Sequence, residues 1–169
     1  MVKVTEQGAE DRKDAPSFVI AATEDYEGLV PFFIENGLEF SEEDETPTDI
    51  VKCWSAKDGR GVLVGGCVLA RREGEFICDG IAVSPDFRAG GLGKRLLDVL
   101  VAEAAARGGA HVYLVARAPK FFAKYGFVAV ERKDAPKFFE CFTCPQYVKT
   151  CFPEVMKTNR NLGSYSGRA

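Results

Sequence analysis

Three apolar runs joined by two short turns constrain the fold of this chain more than any other feature of the sequence. The runs span residues 50–55, 61–71 and 75–83, and the turns contain KDG at 57–59 and REG at 72–74. Turns of this length join antiparallel neighbours, whereas a parallel connection needs about a dozen residues or more. The centre of the chain is therefore predicted to be a three-stranded antiparallel meander.

One strand and one helix are predicted before the meander. Residues 18–21 form a short apolar run, and apolar residues then recur at helical spacing over 26–34. Thr23 is the predicted N-cap of this helix. Pro31 lacks the amide hydrogen that a helix interior uses, so we expect a break or kink there.

A helix, a strand, a short helix and a last strand are predicted after the meander. The first helix ends near Arg107, the strands span 111–116 and 126–131, and the short helix opens at Pro119. The order of elements predicts an α+β fold, in which one strand–helix–strand crossover lies beside the meander. The sheet is therefore mixed and mostly antiparallel, with helices flanking it.

Length and composition indicate how many domains the chain forms and which classes of protein can be excluded. A chain of 169 residues predicts one domain, and a net charge of −3 argues against general attraction to nucleic acid. No apolar run approaches the ~20 residues of a membrane span, and the polar start has no signal-peptide core. We therefore expect a cytoplasmic protein without a membrane partner, whose six cysteines are reduced thiols or metal ligands and not disulfides.

The predicted organisation has four parts, which differ in composition. A flexible N-terminal arm covers residues 1–16, and the α+β core covers 17–132. A cysteine-containing extension follows at 133–158, and a flexible tail at 159–169. The sequence leaves the oligomeric state open, a homodimer included.

The stretch RAGGLGKRLL, residues 88–97, places glycines where a helix begins. The first turn of a helix has unpaired N–H groups and a partial positive charge, and glycines let a phosphate reach the backbone. Arg88 and Lys94 add positive charge. The stretch is thus either an anion site for a diphosphate or a plain turn before a core helix. It matches neither the G-x-x-x-x-G-K-[ST] nor the G-x-G-x-x-G nucleotide motif.

The segment IAVSPDFRAGGLGKRLL resembles the signature of the GNAT superfamily, the acetyl-CoA-dependent N-acetyltransferases. That signature is an apolar strand, a turn and then [QR]-x-x-G-x-[GA] at a helix start, which Arg88, Gly91 and Gly93 match. The later segment FFAKYGF, residues 121–127, is similar to the F-Y-x-x-x-G-F segment of the family. The resemblance covers residues 18–131.

The resemblance implies which residues bind acetyl-CoA. The backbone of the central strand would pair with the pantetheine arm, the glycine stretch would hold the diphosphate, and two aromatic side chains would line the thiol end. It also implies that the sheet splays between the 75–83 and 111–116 strands. The implied binding residues are Ile81, Ala82, Val83, Arg88, Ala89, Gly90, Gly91, Leu92, Gly93, Lys94, Phe121 and Phe122.

Acetyl transfer to an amine needs a general base, and Asp79 is the predicted one. It stands in the apolar central strand, where partial desolvation would favour proton uptake. The alternative is a structural Asp bonded to backbone or to an arginine. Glu75 is expected to be exposed, and His111, the only histidine, is expected at the surface. The amide of Val83 is the implied donor to the developing oxyanion.

The usual general acid of the family is missing. The position of its tyrosine holds Phe122, which has no proton to donate. Tyr125 is the predicted replacement, with Tyr113 as a second choice. A thiol with a pKa of about 8.5 is also a tolerable leaving group without a donor.

Cys141, Cys144 and Cys151 form the pattern C-x2-C-x6-C near the C-terminus. They are predicted either to bind a structural zinc with a fourth ligand from elsewhere, or to be small reduced residues. The pattern also resembles the C-terminal part of short bacterial N-acetylglutamate synthases. That resemblance makes an amino acid a candidate acceptor and Arg117 a candidate for its carboxylate, the alternative being a solvated arginine.

The residues 39–49 include six acids, which form either a solvated loop or a rim that attracts a cationic substrate. We therefore predict an N-acetyltransferase that acetylates a primary amine of a small molecule, an amino acid among the candidates. A protein N-terminus or lysine is the second candidate acceptor. A coenzyme-binding sensor without turnover is the third interpretation.

Overall fold

A computed structural model describes residues 16–136 and 154–162 of the chain. Within these ranges the chain forms seven strands, three α-helices and one 3-10 helix. Their order is β1 (Phe18–Thr23), α1 (Tyr26–Glu35), β2 (Ile50–Asp58), β3 (Leu63–Arg72), β4 (Glu75–Val83), the 3-10 helix (Pro85–Gly90), α2 (Leu92–Ala106), β5 (Val112–Ala116), α3 (Pro119–Lys124), β6 (Phe127–Ala129) and β7 (Glu154–Thr158).

The strands form one sheet in the order β1-β2-β3-β4-β5-β7-β6. β1 to β4 pair antiparallel in sequence order, as the short turns predict. β4 and β5 are parallel and are connected through α2, which confirms the predicted crossover and fold class. β7 was not predicted; it comes from the stretch 133–158 and lies between β5 and β6, antiparallel to both.

α1 and α2 cover opposite faces of the sheet. Successive residues of a strand point to opposite faces. Cys67 and Leu69 of β3 pack in one cluster with the leucines of α2, whereas Val68 packs in a second cluster with α1. No helix in the two described ranges is long and apolar enough to span a membrane.

The start of α1 differs from the prediction. The N-cap is Asp25, whose Oδ1 accepts a hydrogen bond from the Gly28 amide at 2.9 Å. Thr23 is instead the last residue of β1, where it pairs with Cys53. The expected break at Pro31 is also wrong: α1 runs through Pro31, which lies on the exposed side of the helix.

Candidate active site

A cleft of about 1640 Å³ opens where β4 and β5 separate. The two strands pair only at Phe76–Val112 and Ile77–Tyr113. Beyond these pairs they diverge, as predicted. The cleft lies between them, with walls from α1, the connection that follows it, the start of α2 and α3. We name the side formed by β4 and the start of α2 the coenzyme side, and the side formed by the connection after α1 the acceptor side, after the ligands predicted from the sequence.

The coenzyme side includes a strand edge without a partner strand. β3 pairs with one edge of β4 through Val83. Within the described residues, the other edge has no partner from Cys78 onward, because β5 has turned away. Ile81, Ala82 and Val83 line the cleft along this edge. Free backbone groups on such an edge can pair with an extended ligand.

The N-terminus of α2 lies at the end of this edge. Gly91 precedes the helix with φ 78°, in the left-handed region that favours glycine, and no side chain caps the helix start. The first intrahelical bond runs from the Arg95 amide to the Gly91 carbonyl at 3.2 Å. The amides of residues 92–94 therefore have no intrahelical acceptor and are available to an anion.

The two predicted phosphate-binding cations already have partners in the protein. Arg88 Nε donates to the Val83 carbonyl oxygen at 3.1 Å, and Lys94 Nζ is 2.6 Å from Oδ2 of Asp98. All three charged side chains are exposed, so these contacts exchange readily with solvent and with a ligand. Arg88 lines the cleft, whereas Lys94 lies one turn into the helix.

Gly93 lets α3 pack against the start of α2. A Cβ atom at Gly93 would be 2.9 Å from Cζ of Phe121. The ring of Phe121 packs edge-on against Phe122 at 5.1 Å between centroids, and both rings line the cleft. Because Gly93 has no side chain, the rings of Phe121 and Phe122 lie beside the N-terminus of α2.

Asp79 lies at a β-bulge in β4. Val68 of β3 pairs with Gly80 and Leu69 pairs with Cys78, so Asp79 is the extra residue of the bulge. Both Asp79 and Gly80 line the cleft, and the Asp79 side chain is 19% exposed. The bulge therefore presents a carboxylate to the cleft from a strand whose neighbouring residues are buried.

The Asp79 carboxylate forms an ion pair with Arg72. Nη2 of Arg72 is 3.1 Å from Oδ1 of Asp79, and its Nε is 2.5 Å from Oδ2 of Asp49. The alternative predicted from the sequence, a structural Asp bonded to an arginine, is thus present in the fold. The pair stabilises the ionised form of Asp79, which is the form a general base needs.

Burial and the charge of Asp79 keep three neighbouring groups neutral. They raise the pKa of Tyr26, on α1, to about 12 and the pKa of Cys53 to about 11. The pKa of Cys78 rises to about 12 for the same reasons. None of these groups can act as a thiolate or phenolate nucleophile at neutral pH.

The tyrosines predicted as general acid lie away from the cleft. The ring of Tyr125 packs edge-on against Phe121 at 5.1 Å, with the Lys124 ammonium 5.6 Å from its centre. Tyr113 is opposite Ile77, at the closed end of the β4–β5 pair. Neither is among the residues that line the cleft, whereas Tyr26 is. Tyr26 and Arg72 are site residues that the sequence analysis missed.

Arg117 lies at the cleft, at the end of β5. Its Nη1 donates to the Gly37 carbonyl oxygen at 3.0 Å, and its Nη2 is paired with the Glu39 carboxylate. The connection that carries Glu39 lines the cleft with further carboxylates, including Glu42, Asp44 and Glu45. The acidic run is therefore part of the cleft wall.

The cysteines divide into two groups. Cys53, Cys67 and Cys78 are buried in the core. Cys141, Cys144 and Cys151, the predicted zinc ligands, lie outside the described residues. Within residues 16–136 and 154–162, no group of three or more His, Cys, Asp or Glu is placed to bind a metal ion. His111 is partly buried, with Nδ1 2.9 Å from the Thr158 carbonyl oxygen.

The splayed mixed sheet is the fold of the GNAT acetyltransferases. An acetyltransferase of the GNAT family from Staphylococcus aureus superposes with a TM-score of 0.66 at 18% identity, covering 86% of this chain and 99% of that one. The ribosomal-protein-S18-alanine N-acetyltransferase from Escherichia coli gives 0.61 at 18% identity, covering 84% and 93%. At identities this low, the structural similarity establishes the fold alone.

N-acetylglutamate synthase from Neisseria gonorrhoeae, solved with coenzyme A and N-acetyl-glutamate, is also similar. Its TM-score is 0.66 at 19% identity, covering 84% of this chain but 35% of the synthase. The similar structures thus include enzymes that act on different amines. The narrower resemblance to short N-acetylglutamate synthases stays a prediction.

A family model identifies the domain. Residues 49–129 match the model of the acetyltransferase (GNAT) domain, while no curated protein matches the sequence significantly. The matched residues run from β2 to β6 and include β4 and the start of α2.

Proposed function

We propose that this protein transfers the acetyl group of acetyl-CoA to a primary amine of a small molecule, with Asp79 as the general base. The observation that carries the proposal is the arrangement around β4. The open strand edge and the uncapped α2 N-terminus lie on one side of the cleft, and the bulged carboxylate faces the same cleft. One strand therefore connects a coenzyme site with a base.

The coenzyme side fits the two chemical parts of coenzyme A. An extended amide-containing arm can pair with the free edge of β4 at Ile81 to Val83, as an added strand would. A diphosphate can accept hydrogen bonds from the amides of residues 92–94, and Arg88 adds charge. Phe121 and Phe122 offer an apolar wall beside the thiol end.

The chemistry is direct attack of the amine on a thioester. Acetyl-CoA, when bound, supplies the activated acetyl group. Asp79 accepts the proton of the attacking amine as the N–C bond forms, and the Val83 amide is the proposed donor to the oxyanion. The C–S bond breaks and the coenzyme leaves as a thiolate, because the position of the usual donor holds Phe122. Tyr125 remains a proposed acid, but its packing on Phe121 does not support that role.

A protein N-terminus or lysine is the second candidate acceptor, and one observation favours it. The acidic connection lines the acceptor side of the cleft, and the Arg117 guanidinium is already held by Glu39. Carboxylates around a cleft attract a cationic substrate and repel a carboxylate. The small-molecule and peptide acceptors therefore differ in how they use Glu39 and Arg117.

Glu39→Gln and Arg117→Gln distinguish the acceptors. If the substrate is an amino acid, Glu39→Gln frees the Arg117 guanidinium to bind the substrate carboxylate. KM should then fall about two- to fivefold, which corresponds to the ~0.5–1 kcal/mol of an exposed ion pair. Arg117→Gln then raises KM. We expect this pattern in steady-state assays with amino acids. A rise in KM with Glu39→Gln, together with a preference for cationic peptides, would instead identify the second candidate.

Calorimetry and an amine panel test the proposed function. We expect the protein to bind acetyl-CoA, and to release free thiol when a panel of amino acids, polyamines and peptides is supplied. No heat of binding at millimolar acetyl-CoA would contradict the coenzyme site. Binding without thiol release for any amine would contradict the transferase and leave the third interpretation, an acyl-CoA sensor.

A further inference from the structure

Arg72 connects two carboxylates from different parts of the chain. It is the last residue of β3, and its guanidinium contacts Asp79 of β4 at 3.1 Å and Asp49, before β2, at 2.5 Å. Different nitrogens make the two contacts, so Arg72 binds both carboxylates at once. The three side chains are 19–26% exposed, which leaves them partly shielded from solvent screening.

We propose that Arg72 is a positioning residue for acetyl transfer, which fixes the Asp79 carboxylate in the cleft and keeps it ionised, while Asp49 moderates this effect. The inference rests on the proposed role of Asp79 as general base. Arg72 itself acts through Asp79 and has no other part in the chemistry.

The position of Arg72 is fixed from both sides. The Arg71 amide donates to the Asp49 carbonyl oxygen at 2.9 Å, so β3 holds the backbone of Asp49 next to Arg72. Asp49 in turn holds the guanidinium through Oδ2. Because Asp49 already holds the planar guanidinium, Arg72 loses little further side-chain entropy when it contacts Asp79. The contact in turn restricts the rotation of the Asp79 side chain. A β-bulge interrupts the regular ladder between two strands, and the contact with Arg72 restrains the side chain at that irregular position.

Other titratable groups of the described residues also interact with Asp79. Tyr26 from α1, Cys53 from β2 and Cys78 from β4 are neutral at pH 7, because burial and the charge of Asp79 raise the pKa of each. Asp44, from the connection after α1, is an acid near Tyr26. Loss of the Arg72 charge would favour protonation of Asp79, because an adjacent cation stabilises the ionised carboxylate.

Loss of the Arg72 charge and loss of the Asp49 charge are expected to have opposite effects on the pH dependence of kcat/KM. A base works only when it is ionised, so activity is lost as the pH falls through its titration. Removing the charge of Arg72 makes Asp79 easier to protonate and moves the acidic limb of kcat/KM to higher pH. Removing the charge of Asp49 leaves the whole charge of Arg72 for Asp79 and moves the limb to lower pH.

Profiles of kcat/KM against pH test the inference, with one acceptor amine for all variants. We expect Arg72→Met to move the acidic limb to higher pH by about one unit or more. Asp49→Asn should move it to lower pH, and Arg72→Lys should restore most of the wild-type profile. Thermal melts establish that each variant is folded. A limb that stays in place in folded Arg72→Met, or that moves in the same direction in both variants, would overturn the inference.

A titration without turnover separates this inference from the proposed function. The carboxyl carbon of Asp79 can be followed by NMR, with its signal assigned by its loss in Asp79→Asn. We expect its midpoint to rise in Arg72→Met and to fall in Asp49→Asn. If these midpoints move as expected but Asp79→Asn keeps wild-type activity, the base assignment fails while the electrostatic effect of Arg72 stands. Midpoints that do not move contradict the effect of Arg72 itself.

Discussion

Asp79→Asn is expected to lower kcat by about 10²–10⁴-fold, the usual contribution of a positioned general base. The amide has nearly the shape of the carboxylate and can still accept a hydrogen bond from Arg72, so the bulge should keep its geometry. It cannot accept the proton of the attacking amine. The proposed coenzyme contacts lie further along β4, at Ile81 to Val83, which line the cleft, and acetyl-CoA should bind as in the wild type.

Steady-state kinetics and calorimetry check this result together. Asp134→Asn is the matched control, because it makes the same change on an exposed turn after β6 and should leave kcat unchanged. The residual activity of Asp79→Asn should also lose the acidic limb of the pH profile. Asp79→Asn and Asp79→Ala variants with wild-type kcat across the pH range would refute Asp79 as the base. Lost coenzyme affinity would point to a structural role instead.

The order of elements from β2 to β6 was predictable because it depends on local features. Two short turns fix an antiparallel meander, and a helix-length connection fixes the parallel step from β4 to β5. β7 was not predictable in the same way, since it returns from a distant segment to lie between β5 and β6. The N-cap at Asp25 was missed because β1 extends to Thr23 through pairing with Cys53.

The coenzyme side of the site was more predictable than the acceptor side. The glycines at the start of α2 and the position of Asp79 in an apolar strand are visible in the sequence. The role of Arg72 is not, because it depends on a register shift that places Asp79 at a bulge. In sequence, Arg72 only precedes a turn. Tyr26 has the spacing of a core residue on α1, and only the divergence of β4 and β5 exposes it to the cleft.

Gly93→Val is expected to weaken acetyl-CoA binding about tenfold or more, a loss of ~1.4 kcal/mol or greater. A Cβ at this position would be 2.9 Å from Cζ and 3.3 Å from Cε2 of Phe121, so the ring must move. Phe121 is only partly buried and can swing towards the cleft. The displaced ring would occupy space beside the α2 N-terminus, where we propose that the coenzyme binds.

Three alanine variants separate this steric effect from the backbone effects of replacing a glycine, and each should be tested for both binding and melting temperature. Gly91→Ala places an L side chain at φ 78°, which costs ~1–2 kcal/mol of folding free energy, and should lower Tm although its Cβ would contact nothing. Gly59→Ala, whose Cβ would be 3.9 Å from Ser17 Oγ, is the matched control and should change neither Tm nor affinity. Gly93→Ala should keep Tm close to wild type, because alanine favours the helix, and still weaken binding. Wild-type affinity in Gly93→Val would show that the coenzyme does not depend on the contact between α2 and Phe121.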